Sequence, residues 1–204
     1  MRIAAISDLH GNLPPIPPCH ILVVAGDICG GPTHEGTWRP DLSDHRWHDW
    51  LSEKFMPWAS MAEIAIVVAG NHDTAIQKYG FPPVRYNVTY LCDSGIEVCG
   101  LRFWGSPWIK YFDGLAFNAH EDELAERYSK IPKGIDVLVS HGPPLGYGDF
   151  LGGKYCGSTS LMRAIEEVRP SLTICGHIHE ARGVYLNYHD PIVNVSGDFT
   201  ILEV

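Results

Sequence analysis

The sequence predicts an α/β (α+β) fold in which two mixed sheets lie face to face between outer helices, a four-layer αββα sandwich. Two observations lead to this prediction. Short apolar runs rich in β-branched residues are typical of strands buried on both faces, and they occupy residues 3–6, 21–25, 64–68, 135–139 and 172–175. Later segments alternate apolar and polar residues around turns, which favours a second sheet of antiparallel or mixed strands.

The connection between the first two strands is unusual, because residues 11–20 contain four prolines. Proline lacks the backbone N–H and clashes with the preceding helical turn. An ordinary crossover helix is therefore excluded, and we expect a tight extended loop. Residues 30–41, with several glycines, prolines and polar residues, are predicted to form a second loop.

Helical spacing of apolar side chains predicts three longer helices. The first begins after Ser43, a capping residue type, and runs to about Met61, with Pro57 expected to kink it or end it early. Its stripe of tryptophans is more typical of a helix packed on a sheet than of a ligand platform. The other two helices are predicted at 119–130 and 158–169.

The remaining strands are predicted from alternation and turn residues. Residues 87–104 form short strands with a turn at Asp93-Ser94-Gly95, and the tail forms strands at 183–186, 192–195 and 200–204. We find no internal repeat or linker. A single domain over residues 1–204 is the expectation, since this length suits one hydrophobic core.

Composition narrows the class of protein. The net charge of −9 leaves no basic surface for a nucleic-acid polymer, so a nuclease is disfavoured and a small phosphorylated substrate is easier to accept. No apolar run reaches the roughly 20 residues that span a bilayer. The N-terminal residues enter a strand directly, which argues against a signal peptide. We expect no membrane partner, and the oligomeric state stays open.

The six cysteines are scattered and include no Cys-x-x-Cys pair. This usage is typical of reduced thiols in the cytoplasm, which is the expected location. Cys92 and Cys99 flank a predicted hairpin and have spacing compatible with a disulfide, but we expect them to stay reduced.

Five polar clusters directly follow five of the predicted strands. They are Asp8-Leu9-His10, Gly26-Asp27, Gly70-Asn71-His72-Asp73, Ser140-His141-Gly142 and Gly176-His177-Ile178-His179. In an open α/β sheet, ligands bind outside the carboxyl ends of the strands. One such cluster could be a helix cap or an ordinary turn. Five at the same topological place, composed mainly of His, Asp and Asn, indicate one shared site.

The chemistry of these side chains favours a pair of divalent cations. Carboxylate and amide oxygens mixed with imidazoles suit Mn²⁺, Fe, Zn²⁺, Ni²⁺ or Co²⁺, and the lack of cysteine argues against structural zinc. Asp27 is the natural bridge, because each carboxylate oxygen can serve one ion. Two ions about 3.5–4 Å apart make a shared water a nucleophile at neutral pH and bind phosphoryl oxygens. A phosphoester hydrolase is therefore predicted.

Together, Asp8-x-His10, Gly26-Asp27, Gly70-Asn71-His72-Asp73, His141 and Gly176-His177-x-His179 resemble the signature of the calcineurin-like metallophosphoesterases, in the family's order from residue 6 to residue 179. Gly105-Ser106-Pro107-Trp108 and the segment from His141 to Asp149 resemble a branch of small metallophosphoesterase-domain proteins. Some members of that branch are described as phosphodiesterases acting on cyclic nucleotides or model diesters.

The resemblance implies a role for each matching residue. Asp8, His10, His179 and the bridging Asp27 would hold the first ion, and Asn71, His141, His177 and Asp27 the second, with Mn²⁺ the favoured metal. Asn71 and His72 would also face the substrate, and His72 would protonate the leaving oxygen or stabilise the charged transition state. Asp27 and His72 are thus the expected catalytic residues. Some relatives lack a histidine at the position of His177, so its presence favours an active enzyme.

Two departures qualify the resemblance. Protein serine/threonine phosphatases continue with Asp-Arg-Gly after the second motif, but this chain has Ile28-Cys29-Gly30 after Asp27. A protein phosphatase is therefore disfavoured, and the residue that orients His72 is unidentified, since Asp73 is expected to cap the following helix. Trp108 and Tyr147, together with Tyr111 and His120, are candidate rim residues that could stack on a base, although simple lining is the more common role.

Polar residues outside the clusters are expected to serve structure. His20, His34, His45, His48, His120 and His189 fall in this group, and so do Asn12, Asn194 and Asp198, which are expected to fix turns. The leading hypothesis is a phosphodiesterase for small diesters, including cyclic nucleotides. A phosphomonoesterase on the same site, or a metal-containing nucleotide-binding or scaffold protein, is the alternative.

Overall fold

Two sheets, two small strand pairs and five α-helices make up the computed structural model, which describes residues 1–30, 43–83, 87–112, 114–187 and 190–204. The strands within these ranges are β1 Arg2–Ile6, β2 Ile21–Ala25, β3 Ile64–Val68, β4 Val88–Tyr90, β5 Ser94–Val98, β6 Leu101–Ser106, β7 Ile109–Lys110, β8 Asn118–Ala119, β9 Val137–Ser140, β10 Phe150–Leu151, β11 Lys154–Tyr155, β12 Leu172–Cys175, β13 Gly183–Asn187, β14 Asp190–Asn194 and β15 Thr200–Glu203. The helices are α1 Asp44–Trp50, α2 Met56–Ala59, α3 Thr74–Tyr79, α4 Glu121–Tyr128 and α5 Thr159–Val168.

Each sheet is parallel in its centre and antiparallel at an edge. The first has the order β15-β1-β2-β3-β4, with β15 antiparallel to β1 and the other pairs parallel. The second has the order β13-β14-β12-β9-β6-β5, with β13 and β5 antiparallel to their neighbours. The short pairs β7–β8 and β10–β11 were not predicted, because two-residue strands carry too little periodicity to detect.

Three apolar layers confirm the predicted αββα sandwich. Ile3, Ile66, Val139 and Ile174 belong to the core between the two sheets. The outer face of the first sheet packs on α1, α2 and α3, and the outer face of the second packs on α4 and α5. Central strands thus bury side chains on both faces, as their unbroken apolar runs predicted.

The first connection is extended, as its prolines predicted, and contains no helix between β1 and β2. Ser43 lies at the N-cap of α1, but its side chain makes no capping hydrogen bond. The acidic side chain of Asp44 lies in the first turn instead, where its negative charge interacts favourably with the positive end of the helix dipole. The predicted loop at 30–41, apart from Gly30, falls outside the described residues, as do His34 and His189.

Pro57 is expected to kink this helix or end it early, and the early end is wrong. A π-helical turn, Leu51–Phe55, joins α1 to α2, and the N–H of Met56 donates to the carbonyl five residues back, on Leu51. Pro57 then falls in the first turn of α2, directly after the π-helical turn, and the helix continues past it to Ala59. The tryptophan stripe packs in the core, with Trp47 and Trp58 both buried, so the packing interpretation holds.

The turn expected at Asp93-Ser94-Gly95 is also misplaced. Ser94 and Gly95 belong to β5, and the hairpin reverses at Cys99-Gly100, where φ is +52° and +77°. Positive φ at both turn positions matches the twist of an antiparallel hairpin. Asp93 instead accepts hydrogen bonds from Ser106 Oγ at 2.8 Å and Trp108 Nε1 at 2.9 Å. Cys92 and Cys99 are both free and exposed.

None of the helices in the described ranges combines the length and apolar character needed to cross a bilayer. Those that are present instead cover the two sheets, and their buried side chains belong to the outer cores.

Substitution of Phe55, which is fully buried under the first sheet, should show how much this outer core stabilises the fold. Phe55→Ala is expected to lower the free energy of unfolding by about 3–5 kcal/mol, because it removes a large buried side chain and leaves a cavity. Urea unfolding followed by circular dichroism measures the change. Met61→Ala, at a side chain 74% exposed, is the control and should change stability by about 0.5 kcal/mol or less; a loss below 1 kcal/mol for Phe55→Ala would contradict the packing argument.

Candidate metal centre

The loops that follow β1, β2, β3, β9 and β12 converge at one edge of the two sheets. Main-chain hydrogen bonds tie them together. The N–H groups of Asp8 and His10 donate to the carbonyls of Gly26 (3.0 Å) and Asp27 (2.9 Å), and Gly176 N–H donates to His141 O at 2.9 Å. The five polar clusters of the sequence therefore form one site, contributed by strands of both sheets.

One group of candidate ligands combines the loops after β1 and β12. Asp8, His10 and His179 bring one ligand atom each within 4.8 Å of one another. Oδ1 of Asp8 lies 3.2 Å from Nε2 of His179. The Nδ1 of His10 is hydrogen-bonded to the carbonyl of Gly30, which leaves Nε2 as the ring nitrogen available to a metal ion.

A second group combines the loops after β2, β3, β9 and β12. Asp27, His141 and His177 again bring ligand atoms within 4.8 Å. Nε2 of His141 lies 3.3 Å from Oδ1 of Asp27 and 3.0 Å from Oδ1 of Asn71. Its Nδ1 is 2.9 Å from the carbonyl of Ala25, so Nδ1 carries the hydrogen and Nε2 faces the ligands. The rings of His141 and His177 meet edge to face at 5.2 Å.

Asp27 links the two groups. It also forms a possible ligand cluster with His10 and His72, so its carboxylate lies beside ligands of both predicted ions. The location of Asp27 is compatible with the bridging position, which stays a prediction, and each of the seven predicted ligands lies in the site.

The residues fit a pair of divalent cations. Oδ1 of Asp8 is buried, and its neighbour is Nε2 of His179 at 3.2 Å, another candidate ligand. A buried carboxylate needs compensating positive charge, which a cation held by both residues would supply. Oxygen and imidazole donors without thiolate match Mn²⁺, Fe, Zn²⁺, Ni²⁺ or Co²⁺. Asp8, His10 and His179 would hold one ion, Asn71, His141 and His177 the other, and Asp27 both.

Left-handed backbone conformations aim several of these side chains into the site. Asp8, His10, Asp27 and His177 have φ of +59°, +45°, +52° and +71°. Non-glycine residues in this region cost of order 1–3 kcal/mol each and persist only where the surroundings hold them. Four strained residues among seven candidate ligands indicate that the loops are shaped for the site rather than for stability.

Two glycines are required by the close approach of the loops. A Cβ on Gly26 would lie 2.3 Å from Nδ1 of His141, and one on Gly176 would lie 2.0 Å from Oγ of Ser7. Any side chain at these positions would displace the neighbouring loop. The glycines that open the motifs at Gly26 and Gly176 are therefore explained by packing between loops.

The electrostatics of the site couple buried carboxylates to imidazoles. Burial alone would raise the pKa of Asp27, but the charge and hydrogen bond of His141 more than offset this and lower the pKa to about 2. Burial alone would lower the pKa of His141, and the carboxylate of Asp27 raises it to about 9. The pKa of Asp8 is also lowered, with burial opposed by His179 and His141. Both carboxylates are ionised at neutral pH and attract positive charge.

His72 lies at the open side of the centre. Its side chain is 23% exposed, and Nε2 is 4.0 Å from Oδ2 of Asp27. The main-chain N–H of His72 donates to Oδ1 of Asp27 at 2.8 Å. The His72 ring lies edge to face with the ring of His10, with 5.0 Å between the ring centroids. This position is compatible with His72 facing the substrate and with His72 binding a metal ion. The substrate-facing role stays a prediction.

Asp73 does not cap helix α3, contrary to the expectation. Although it occupies the N-cap position, its carboxylate accepts the N–H groups of Ile28 (3.2 Å), Cys29 (2.7 Å) and Gly70 (2.7 Å). Burial and the charge of Asp27 raise the pKa of Asp73 to about 6, against the effect of these donors. Asp73 thus joins the loops after β2 and β3, a tertiary role that adjacency to His72 could not reveal.

The candidate rim residues are held by the protein. The indole N–H of Trp108 donates to Asp93. The guanidinium of Arg127 lies 3.4 Å above the ring of Trp108. The hydroxyl of Tyr147 lies 3.3 Å from Oδ1 of Asn187. Tyr111 is half exposed and stacks on His120 at 4.7 Å. Trp108 also lines a small pocket together with His177, so it remains the best placed of the four.

This arrangement defines a class of protein: an αββα sandwich with a two-cation site at the strand ends, suited to phosphoester chemistry. Comparison with known proteins agrees. The family described as calcineurin-like phosphoesterase matches residues 1–181, and the chain belongs to this family. Membership supports a metal-dependent phosphoesterase.

Individual relatives extend the likeness over most of the chain. The human and mouse proteins named Metallophosphoesterase domain-containing protein 1 are each 32% identical to it. The alignment has 228 positions, gaps included, and covers 96% of this chain. The chain spans 65% of the length of those relatives. The Caenorhabditis elegans UPF0046 protein C25E10.12 is 29% identical over 96% of this chain and 75% of its own length.

The fold is also found among solved structures. One crystal structure superimposes with a TM-score of 0.69 at 17% identity, over 98% of this chain and 94% of the other. At that identity the likeness concerns the fold alone, and it agrees with the two-sheet sandwich described above.

Gly70→Ala tests the close packing of the loops. The new Cβ would lie 2.3 Å from Oδ1 of Asp27 and 2.7 Å from Cδ2 of His141, so two candidate ligands must move. Mn²⁺ affinity measured by calorimetry is expected to fall at least about tenfold. Gly80→Ala, where no atom lies within 4 Å of the added carbon, is the control and should keep wild-type affinity. Equal affinities for both variants would show that the ligands are not where we place them.

Asp73→Ala tests the junction between the loops after β2 and β3. Three buried N–H groups lose their acceptor, at about 1–3 kcal/mol for each group left unsatisfied, so stability should fall by about 3 kcal/mol or more and Mn²⁺ binding should weaken. Chemical denaturation and calorimetry provide the two measurements. Asp136→Ala, which removes a surface pair with the Arg102 guanidinium and an acceptor for the Arg102 N–H, should cost about 1 kcal/mol or less. Similar losses in both variants would contradict the special role of Asp73.

Proposed function

We propose that this chain is a dinuclear-metal-dependent phosphodiesterase that hydrolyses small phosphodiesters, cyclic nucleotides among them. The observation that carries the proposal is the shared position of Asp27 beside two groups of ligands, with His72 at their open side. Two bound cations would supply a nucleophilic water and neutralise charge on the phosphoryl oxygens. The protein's own residues would hold the ions, orient the ester and handle the leaving group.

His72 is the residue we assign to the leaving group. Its main-chain N–H is fixed on Asp27 and its ring is partly exposed, so the imidazole is anchored at its base and open to a substrate. From this position it can donate a proton or a hydrogen bond to the departing oxygen. The amide of Asn71, which precedes it, would lie beside both an ion and the substrate.

The preference for a diester over a monoester rests on resemblance. The segments Gly105-Ser106-Pro107-Trp108 and His141 to Asp149 resemble a branch of small metallophosphoesterase-domain proteins, some of which are described as phosphodiesterases. The chain's net charge of −9 also disfavours a long polyanion.

We further propose manganese as the working metal and the cytoplasm as the location. The mixture of hard oxygens and imidazoles supports Mn²⁺ without excluding Fe, Zn²⁺, Ni²⁺ or Co²⁺. The six cysteines are all free thiols, two of them buried, which supports a reducing compartment.

Turnover of two model substrates by Mn²⁺-loaded protein tests the proposal. Bis-p-nitrophenyl phosphate should be hydrolysed faster than p-nitrophenyl phosphate, and selected cyclic nucleotides should also be hydrolysed. His72→Ala is expected to lower kcat by on the order of 10²-fold or more while metal content stays at two ions per chain. Asp27→Asn should abolish turnover and weaken binding of both ions.

His45→Ala is the matched control, because His45 is an exposed histidine whose partner is Asp49, and it should keep full turnover. Faster hydrolysis of the monoester would favour a phosphomonoesterase on the same site. Fewer than one ion per chain after reconstitution would favour the scaffold alternative. Full turnover by both Asp27→Asn and His72→Ala would place the active site elsewhere.

A further inference from the structure

The side chain of Asn194 makes an unusual set of hydrogen bonds at the end of β14. It is fully buried, and Cys175, the last residue of β12, is its partner in the sheet. Its Nδ2 donates to the carbonyls of Gly148 and Ile178, each at 2.9 Å, and lies 3.3 Å from that of Gly176. Because an amide carries two hydrogens, the contact with Gly176 is the weaker, shared one.

Two of these carbonyls, those of Gly176 and Ile178, belong to the peptide groups that precede two candidate ligands. The Gly176 carbonyl and the N–H of His177 form one peptide group, and that N–H donates to Oδ2 of Asp8 at 3.1 Å. The Ile178 carbonyl shares its peptide group with the N–H of His179. Asn194 therefore acts on the peptide plane directly before each histidine, one for each predicted ion.

The backbone between these two planes is strained. His177 has φ of +71°, and the N–H of Ile178 donates to Gly176 O at 2.8 Å across it. A three-residue turn with positive φ at its centre is the rare and strained form of the γ-turn. Such a conformation persists only where surrounding contacts hold it, and the amide of Asn194 lies directly against both ends of this turn.

The amide is itself fixed from two directions. Its Oδ1 accepts the N–H of Ser196 at 3.0 Å and the Oγ of Ser196 at 2.8 Å. Gly148, on the other side, belongs to a loop closed by Asp149, whose carboxylate accepts the N–H groups of Gly146 (3.1 Å) and Gly157 (2.8 Å). Asn194 thus connects the loop after β9 to the loop after β12.

We propose that Asn194 is a positioning residue for the metal centre, holding the backbone that aims His177 and His179 at the two ions. The inference rests on the proposed function and extends it beyond the ligands. The turn role expected from the sequence accounts only for the contact between Oδ1 and the Ser196 N–H. The Nδ2 contacts have no part in that turn, and they reach the loop that carries the histidines.

Calorimetric titration of the full metal-free chain with MnCl₂ tests the role of Asn194. Asn194→Ala should weaken Mn²⁺ binding about 10- to 100-fold, the range expected for partners that orient ligands. Ser196→Ala should shift affinity in the same direction by a smaller factor, because Oδ1 keeps the N–H donor. Turnover of Asn194→Ala should recover in part with excess Mn²⁺ while KM for bis-p-nitrophenyl phosphate stays unchanged.

Asn87→Ala is the matched control. The Nδ2 of Asn87 also donates to two carbonyls, those of Ser60 (3.0 Å) and Ala62 (2.8 Å), near the end of α2. Its loss should lower the melting temperature but leave Mn²⁺ affinity within twofold of wild type. A purely structural role of Asn194 would give the same pattern, so affinity separates the two roles.

Each remaining outcome is decisive. Two ions bound by wild type and by Asn194→Ala with affinities within twofold would overturn the positioning role and leave the proposed function intact. No Mn²⁺ bound by wild type would overturn the proposed function and this inference together. If Asn194→Ala does not fold, Ser196→Ala decides, and unchanged affinity in that variant overturns the proposal.

Discussion

The carboxylate of Asp27 is the point on which the rest of the site depends. It follows a central strand of the first sheet, yet it lies 3.3 Å from His141, which follows a strand of the second. It also accepts the N–H of His72 from the neighbouring loop. A buried negative charge of this kind is tolerated only with compensating partners. Both sheets must therefore present their strand ends to the same few ångströms of space.

This requirement explains the costly local geometry. The loops approach so closely that Gly26, Gly70 and Gly176 have no room for a side chain. Asp8 and His177 adopt left-handed backbone conformations. Glycine and strained residues both reduce stability, and the three apolar layers of the sandwich supply the burial that offsets them. The regular strands and helices stabilise the fold, and the irregular loops hold the candidate metal ligands.

Buried polar groups outside the ligand set complete the arrangement. Asp73 holds the loops after β2 and β3 through three N–H donors, and Asn194 reaches the loops after β9 and β12 through carbonyl groups. The carboxylate of Asp73 accepts hydrogen bonds from backbone N–H groups, whereas the amide of Asn194 donates hydrogen bonds to backbone carbonyls. Ligand direction thus depends on residues that never face the ions.

The sequence by itself determined the apolar strands, the sandwich and the convergence of the five clusters, because strand periodicity and strand-end motifs are local patterns. It failed where a residue's partner is distant along the chain. Asp73 lies at the position of a helix cap, and Asp93 lies in a segment with the composition of a turn. Asn194 lies in a segment that has the composition of a turn and makes one of the hydrogen bonds of a turn. Only the tertiary structure decided their roles, since a short polar side chain bonds whichever backbone group the folded loops bring within 3 Å, and no local pattern specifies that group.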